Sequence, residues 1–414
     1  VSNNRNLALV AAIVSSLVTV TPTRAEQTTL SVDYTIFSKT FKRLSEAFMK
    51  ERPDIKIELR PAVSGSDPLV EQTLRDAISN RLADISFFGY GRIRTIVERG
   101  IPVSIGAMLK NEDLAATGLI KERISSCVVD NVAYGLPFAT TSEAVFFNET
   151  LLLSAGIDKS NIPNDWNSIL AVSEKVRSAN LGTMGFYADY SATGNWYFIS
   201  LLEASGGRLM TDNGKVGFDT PEGLNALKTL QSYGKAGMVD MTRSQAFQAF
   251  SSGSLAVLVA ADAFVGDLEK QAKGRFNIIK APFPISSPEG QLPAGGNCGV
   301  IFTRDPAKQK AAWEFLKFAS GPVGQSILVE DTGFLPSNSI AIDKLAGFYK
   351  DHPYYAANPA QIRRLGGFPA FPGENSVKIT NVITSHLQTV VSLKRAPEDV
   401  MPDLVRDVQQ LLPN

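Results

Sequence analysis

Histidine and cysteine are nearly missing, with two of each among 414 residues. His352 and His386 are the only imidazoles, and their separation matches no standard zinc spacing, so no metal ligands are nominated. Excess charge is missing too. The 41 basic residues balance 41 acidic ones, which leaves no net positive field for sequence-independent nucleic-acid binding. The chain lacks a Gly-x-Ser-x-Gly nucleophile elbow and a Gly-x4-Gly-Lys-Ser/Thr phosphate loop, and Gly89-Tyr90-Gly91 stops short of a dinucleotide fingerprint. No cofactor and no catalytic residue is therefore nominated. After the first 25 residues, no apolar run approaches the roughly 20 residues needed to span a bilayer.

What is present is globular: 44% hydrophobic, 20% charged and 9% aromatic. At roughly 150 residues per domain, this length predicts two or three cores, with a cleft between them. The first 25 residues form a separate unit. Arg5 precedes an apolar stretch from about Leu7 to Val20, and Thr23-Arg24-Ala25 follows Pro22. That layout predicts a secretory signal peptide over 1–25, cleaved after Ala25; Ser15, Ser16 and Thr19 interrupt the run and disfavour a membrane anchor. Without Arg5 and Arg24 the net charge is −2. The expected location is a periplasm, without lipid tethering, because no cysteine stands at the cleavage site. Cys127 and Cys298 then occupy a disulfide-permissive compartment, where a bridge and two buried free thiols both remain open.

Along the chain, strand and helix patterns alternate. Thr28 to Tyr34 is β-rich; Phe41, Leu44, Ala47 and Phe48 fall at helical spacing; Ile55 to Leu59 alternates apolar with polar. A helix over Pro68 to Asn80 and a strand over Asp84 to Phe88 follow. Such βα units imply an α/β fold with a mainly parallel sheet, whose ligands sit beyond the carboxyl ends of the strands. Polar Ala139 to Ser142 separates this region from a strand at Glu143 to Asn148, where a second lobe is expected to begin. Helices are predicted at 168–179, 196–204, 221–235 and 244–251, strands at 255–260 and 276–280, and a long helix from Asp305 to Phe318.

The ordered set Glu51-Arg52-Pro53-Asp54-Ile55-Lys56-Ile57, Tyr134-Gly135-Leu136-Pro137-Phe138, Phe250-Ser251-Ser252-Gly253-Ser254-Leu255-Ala256, Gly295-Gly296, Ala311 to Phe318 and Thr332-Gly333-Phe334-Leu335-Pro336-Ser337 resembles a known family. It is similar to the extracellular solute-binding proteins of bacterial ABC importers, in the maltose- and glycerol-phosphate-binding branch, through nearly the whole mature chain. The resemblance implies a two-lobe periplasmic-binding-protein fold with a hinge and an interlobe ligand cleft. It also implies lobe one over 26–138 plus 265–318, lobe two over 139–264 plus 319–414, and hence both cysteines in one lobe. The implied function is capture of a sugar, polyol, glycoside or glycerol-phosphate-type solute by a monomer that delivers it unaltered to a membrane permease.

A hydroxyl-rich solute offers C–H faces to aromatic rings and hydroxyl edges to donors and acceptors. On strand ends and crossovers the candidate ligand contacts are Tyr34, Ser64, Ser66, Asp67, Tyr90, Thr141, Ser142, Asn195, Trp196, Asp262, Gly296, Asn297 and Phe334. Where the glycerol-phosphate subset carries tyrosine and a late arginine, this chain has Phe334 and the arginine-free stretch Phe368 to Asn375, which weakens phosphate recognition and favours a neutral solute. Arg363 and Arg364 lie near that stretch. The rival function is a secreted carbohydrate-active hydrolase using two carboxylates drawn from Asp67, Asp262 and Glu374. A chemosensory receptor built on the same clamshell is a third.

Overall fold

The computed structural model describes residues 27–180, 182–356 and 358–413. The expected signal peptide lies outside these residues. Two separate sheets organise the chain. The first runs in the order Ile55–Leu59, Thr28–Asp33, Ile85–Gly89, Gly295–Ile301, Gly135–Thr141. The second runs Ile278–Pro282, Glu143–Asn148, Leu255–Ala261, Met184–Ala188.

The βα units dictate the first three strands of the first sheet, which pair in parallel. Gly295–Ile301 then inserts antiparallel between Ile85–Gly89 and Gly135–Thr141, so the sheet is mixed rather than mainly parallel. Helix Ser38–Glu51 buries Phe41, Leu44 and Phe48 along one face and stops before Pro53. Phe41 meets Phe87 and Phe138 at ring separations of 4.9 and 5.4 Å, an aromatic cluster under the sheet. Helix Pro306–Ser320 opens with Asp305 accepting from the Lys308 amide and with proline in its first turn, and it buries Trp313, Phe315 and Leu316.

The second core is built around Tyr197, Tyr233, Phe186 and Phe283. Helix Arg243–Ser252 carries a reciprocal capping box between Thr242 and Gln245 and ends at Gly253 in the left-handed region. The lobe boundaries expected from the resemblance need two corrections. Ile278–Pro282, expected in lobe one, is an edge strand of the second sheet, hydrogen-bonded along Ala144–Asn148, and Val265, Leu268 and Ala272 of the preceding helix are buried in the second core. Helix Pro322–Asp331, expected in lobe two, instead contributes Leu328 to the first core. In both cases the buried apolar face, not the sequence order, decides the partner.

Cys127 and Cys298 form a disulfide with Cα atoms 5.9 Å apart. It joins the turn at Ser125–Cys127 to the strand Gly295–Ile301 inside the first lobe.

The chain passes from the first sheet to the second between Thr141 and Glu143 and returns between Pro282 and Gly295, and three backbone segments are bonded together at the junction of the lobes. Asp262 N–H donates to Ser142 O at 2.8 Å, Gly333 N–H to Ala263 O at 3.1 Å, and Leu335 N–H to Thr140 O at 2.7 Å. The Thr141 hydroxyl accepts from Ala263 N–H at 3.1 Å. Adjacent backbones bonded in this ladder can bend together without either lobe losing its own sheet.

Candidate functional site

Where the carboxyl ends of the first sheet meet the second lobe, a cavity of about 120 Å³ is walled by both. Ser66, Tyr90, Arg92 and Gly296 come from the first lobe; Gly194, Trp196 and Phe368 come from the second. Each is placed by local structure. Ser66 opens a helix after the loop that follows the second strand, and Tyr90 begins a short turn after the third. Trp196 begins a helix behind Gly194 and Asn195, whose φ values are +73° and +58°. The indole is anchored by its N–H donating to Pro293 O at 2.8 Å. Gly296 has φ +135°, and a Cβ there would stand 2.0 Å from Ala139 O and 2.9 Å from the Tyr90 ring, so the strand can bend toward the cavity only as glycine.

Three aromatic rings and a backbone rich in glycine make this wall suited to a ligand with flat C–H faces and hydroxyl edges. Tyr90 donates to Ala139 O at 2.7 Å, and burial pushes its hydroxyl up to about 12, so it stays neutral. Among the described residues, Arg92 is the only arginine or lysine on the wall. It is buried and paired with Asp67, while its terminal nitrogens donate to Thr380 Oγ1 at 3.0 Å and Ser376 Oγ at 3.4 Å.

A second cavity, of about 180 Å³, lies beside the crossovers and is lined by Ser142, Asp262, Lys280, Tyr354, Asn358 and Gln361, among others. Lys280 Nζ donates to both Asp262 oxygens at 2.9 and 3.0 Å and to Ala356 O at 3.0 Å. Desolvation pushes Asp262 up to about 6, against the opposing pull of the lysine.

The nominated residues thus fall into distinct groups. Ser66, Tyr90, Trp196 and Gly296 share the interlobe cavity, with Asp67 held behind it by Arg92; Ser142 and Asp262 share the hinge cavity. Thr141 uses its hydroxyl on Ala263 N–H and Ser142 O. Asn195 is buried, with its amide nitrogen on Thr380 O and Thr384 Oγ1, and its Oδ1, like that of Asn297, has no hydrogen-bond partner among the described residues. Tyr34 packs on Phe41 with 4.6 Å between rings, and Phe334 packs edge-on against Phe37, so both are core aromatics rather than cavity walls. Ser64 is exposed in the loop before Ser66. Sequence reasoning missed Arg92, Phe368 and Lys280. Arg92 follows the nominated Tyr90 by two positions, and Lys280 is the one charge in the strand Ile278–Pro282, so both signals were available.

The three carboxylates of the hydrolase alternative do not form a catalytic pair. Asp67 is bound to Arg92, Asp262 lines the other cavity with Lys280, and exposed Glu374 pairs with Arg99. Among the described residues no group of three or more histidine, cysteine, aspartate or glutamate side chains could hold a metal ion, and no helix is long and apolar enough to cross a membrane.

Two lobes, a bonded junction between them and a cavity walled from both sides define the two-lobe periplasmic-binding-protein fold. Residues 43–359 match the bacterial extracellular solute-binding protein family, and the chain belongs to it. A putative binding protein of Brucella abortus (strain 2308) is 22% identical over 379 residues, covering 90% of this chain and 89% of its own. The sn-glycerol-3-phosphate-binding periplasmic protein UgpB of Pectobacterium atrosepticum is 23% identical, over 67% of this chain and 65% of that protein. Among solved structures, UgpB of Mycobacterium tuberculosis in complex with glycerophosphocholine superposes with a TM-score of 0.81 at 16% identity, covering 92% of this chain and 97% of that one. A solute-binding protein of Thermotoga lettingae bound with α-D-tagatose gives 0.78 at 19% identity, covering 94% and 100%.

Proposed function

We propose that this protein is the exported solute-binding component of an ABC importer, which encloses a sugar, polyol, glycoside or glycerol-phosphate-type solute between its lobes and hands it unchanged to a membrane permease. The observation that carries this is the interlobe cavity: aromatic, glycine-rich, and assembled from strand ends of one lobe and a helix start of the other. The names of the relatives support the solute class, since they include binders of sn-glycerol 3-phosphate and of a ketose. Release of the solute into a periplasm-facing permease fits the signal-peptide layout at the start of the chain. The protein acts as a monomer whose closed form is favoured by the solute's differential affinity for it.

The test is a thermal-shift and tryptophan-fluorescence screen across sugars, polyols, glycosides and glycerol phosphates. A matching solute raises the melting temperature, because it binds the folded cleft and not the unfolded chain, and it perturbs the indole at the cavity wall. Trp196→Ala weakens the solute by about tenfold or more while leaving the disulfide-linked first lobe folded. A matched solute that binds Trp196→Ala with unchanged affinity removes this cavity as the site. Sustained solute turnover overturns the binding-only role.

A further inference from the structure

Arg92 does more than line a wall. Its guanidinium is almost wholly buried and holds residues of both lobes at once: Asp67 at the start of a first-lobe helix, and Ser376 and Thr380 on the second-lobe helix Ser376–Val391. Around it runs a seam. Phe368 reaches from the second lobe over Gly91, where a Cβ would stand 2.6 Å from the ring, and packs against the cores of both lobes. Gly373 N–H donates to Glu98 Oε2 at 3.0 Å, and Arg99 meets Glu374 at 3.1 Å. Asn195, at the mouth of the Trp196 helix, donates to Thr380 O, so Thr380 is bonded on one side by the cavity helix and on the other by Arg92.

We propose that Arg92 is the bolt of the clamshell, a cavity-wall residue that holds the two lobes shut through Thr380 and Ser376 and so ties closure to the occupancy of the cavity beside it. The exposed seam contacts cannot replace it. Arg99 and Glu374 are solvated, and such pairs contribute little, whereas withdrawing a buried guanidinium from its acceptors strands Asp67 and two hydroxyls. The planar fork is what lets one side chain serve both lobes; a lysine would offer a single ammonium to acceptors lying on opposite sides. This assignment rests on the interlobe cavity being the solute site, yet it concerns closure, which is measurable with no solute present.

The experiment places spin labels at Ile78→Cys on the first lobe and Leu153→Cys on the second, both exposed, and measures the interlobe distance distribution of solute-free protein. The parent carries a measurable short-distance population beside the open one. Arg92→Met raises the open-to-closed ratio by about tenfold or more. The pair Thr380→Val with Ser376→Ala, which leaves Arg92 and its first-lobe partner in place, shifts it in the same direction, and circular dichroism confirms that each variant is folded. Arg99→Met, which cuts an exposed contact of the same seam, leaves the distribution unchanged. A parent with no short-distance population, or Arg92→Met and Arg99→Met that are indistinguishable, overturns the bolt. Neither result touches the solute screen, and a failed screen leaves the distance measurement intact.

Discussion

Lys280→Met offers a quantitative test of the buried charge beside the crossovers. In the parent, the Lys280 ammonium makes three hydrogen bonds, two of them to Asp262, and the side chains are 11% and 5% exposed. Burial still wins over this attraction and raises Asp262 from 3.8 to about 6. A folded-state value above the unfolded one means the native protein holds the proton more tightly. The associated stability is fully present below about pH 3.8 and is lost as pH rises through about 6, a difference of about 3 kcal/mol for a shift of about two units. Removing the ammonium leaves a buried carboxylate with no counter-charge. At about pH 7.5 the variant is therefore expected to be about 3–5 kcal/mol less stable than the parent. At about pH 5 the carboxyl is already protonated in both proteins, and the deficit falls to about 1 kcal/mol of lost packing and hydrogen bonding. Urea unfolding at the two pH values, followed by near-ultraviolet circular dichroism, reads both numbers. An equal deficit at both, or a larger one at the lower pH, refutes the account.

The disulfide closes a loop of sequence separation 171, for which chain entropy gives an upper value of about 5 kcal/mol. The double variant Cys127→Ser with Cys298→Ser should lose about 2–5 kcal/mol, and reductant should lower the melting temperature of the parent but not of that variant. Gly296→Ala should cost about 2–4 kcal/mol, combining a strained backbone with a Cβ driven into Ala139 O, and equilibrium unfolding checks it; a loss below about 1 kcal/mol means the strand can straighten.

Much of the architecture was readable because burial imposes a period. Ile55, Ile57 and Leu59 alternate with Lys56 and Glu58, and Phe41, Leu44 and Phe48 recur at helical spacing, so one face of each element declares itself. Gly296 was nominated as a ligand contact, but its close neighbours Ala139 and Tyr90 are set by strand order, which the sequence pattern does not show. Lobe membership was not readable at Ile278–Pro282. An edge strand has the same apolar pattern whichever sheet it joins, and only its hydrogen bonds to Ala144–Asn148 decide the matter. Tyr34 and Trp196 show the same limit for the site: both are aromatics near strand or helix ends, yet one ring turns into Phe41 and the other walls the cavity. Arg92 was not nominated from the sequence, and its second-lobe partners lie more than 280 positions away along the chain.

The crossovers themselves are open to a finer test at Thr141. Its hydroxyl accepts from the Ala263 amide at 3.1 Å, joining the crossing at Thr141 to the turn after Leu255–Ala261, and both residues are buried. Valine keeps the shape and the methyl group that packs near Gly295 and removes the hydroxyl, both the acceptor for Ala263 N–H and the longer donor contact to Ser142 O at 3.3 Å. A buried amide without a partner costs about 1–3 kcal/mol, so Thr141→Val should lose that much stability, while Thr141→Ser, which keeps the oxygen, should lose less. Hydrogen exchange separates this from a general loosening. The Ala263 amide should exchange about tenfold faster or more in the valine variant under native conditions, with amides of Thr28–Asp33, in the first sheet, unchanged relative to the global stability. If valine and serine behave alike, the hydroxyl is not what couples these segments, and the backbone bonds from Asp262 to Ser142 and from Gly333 to Ala263 must hold the junction by themselves.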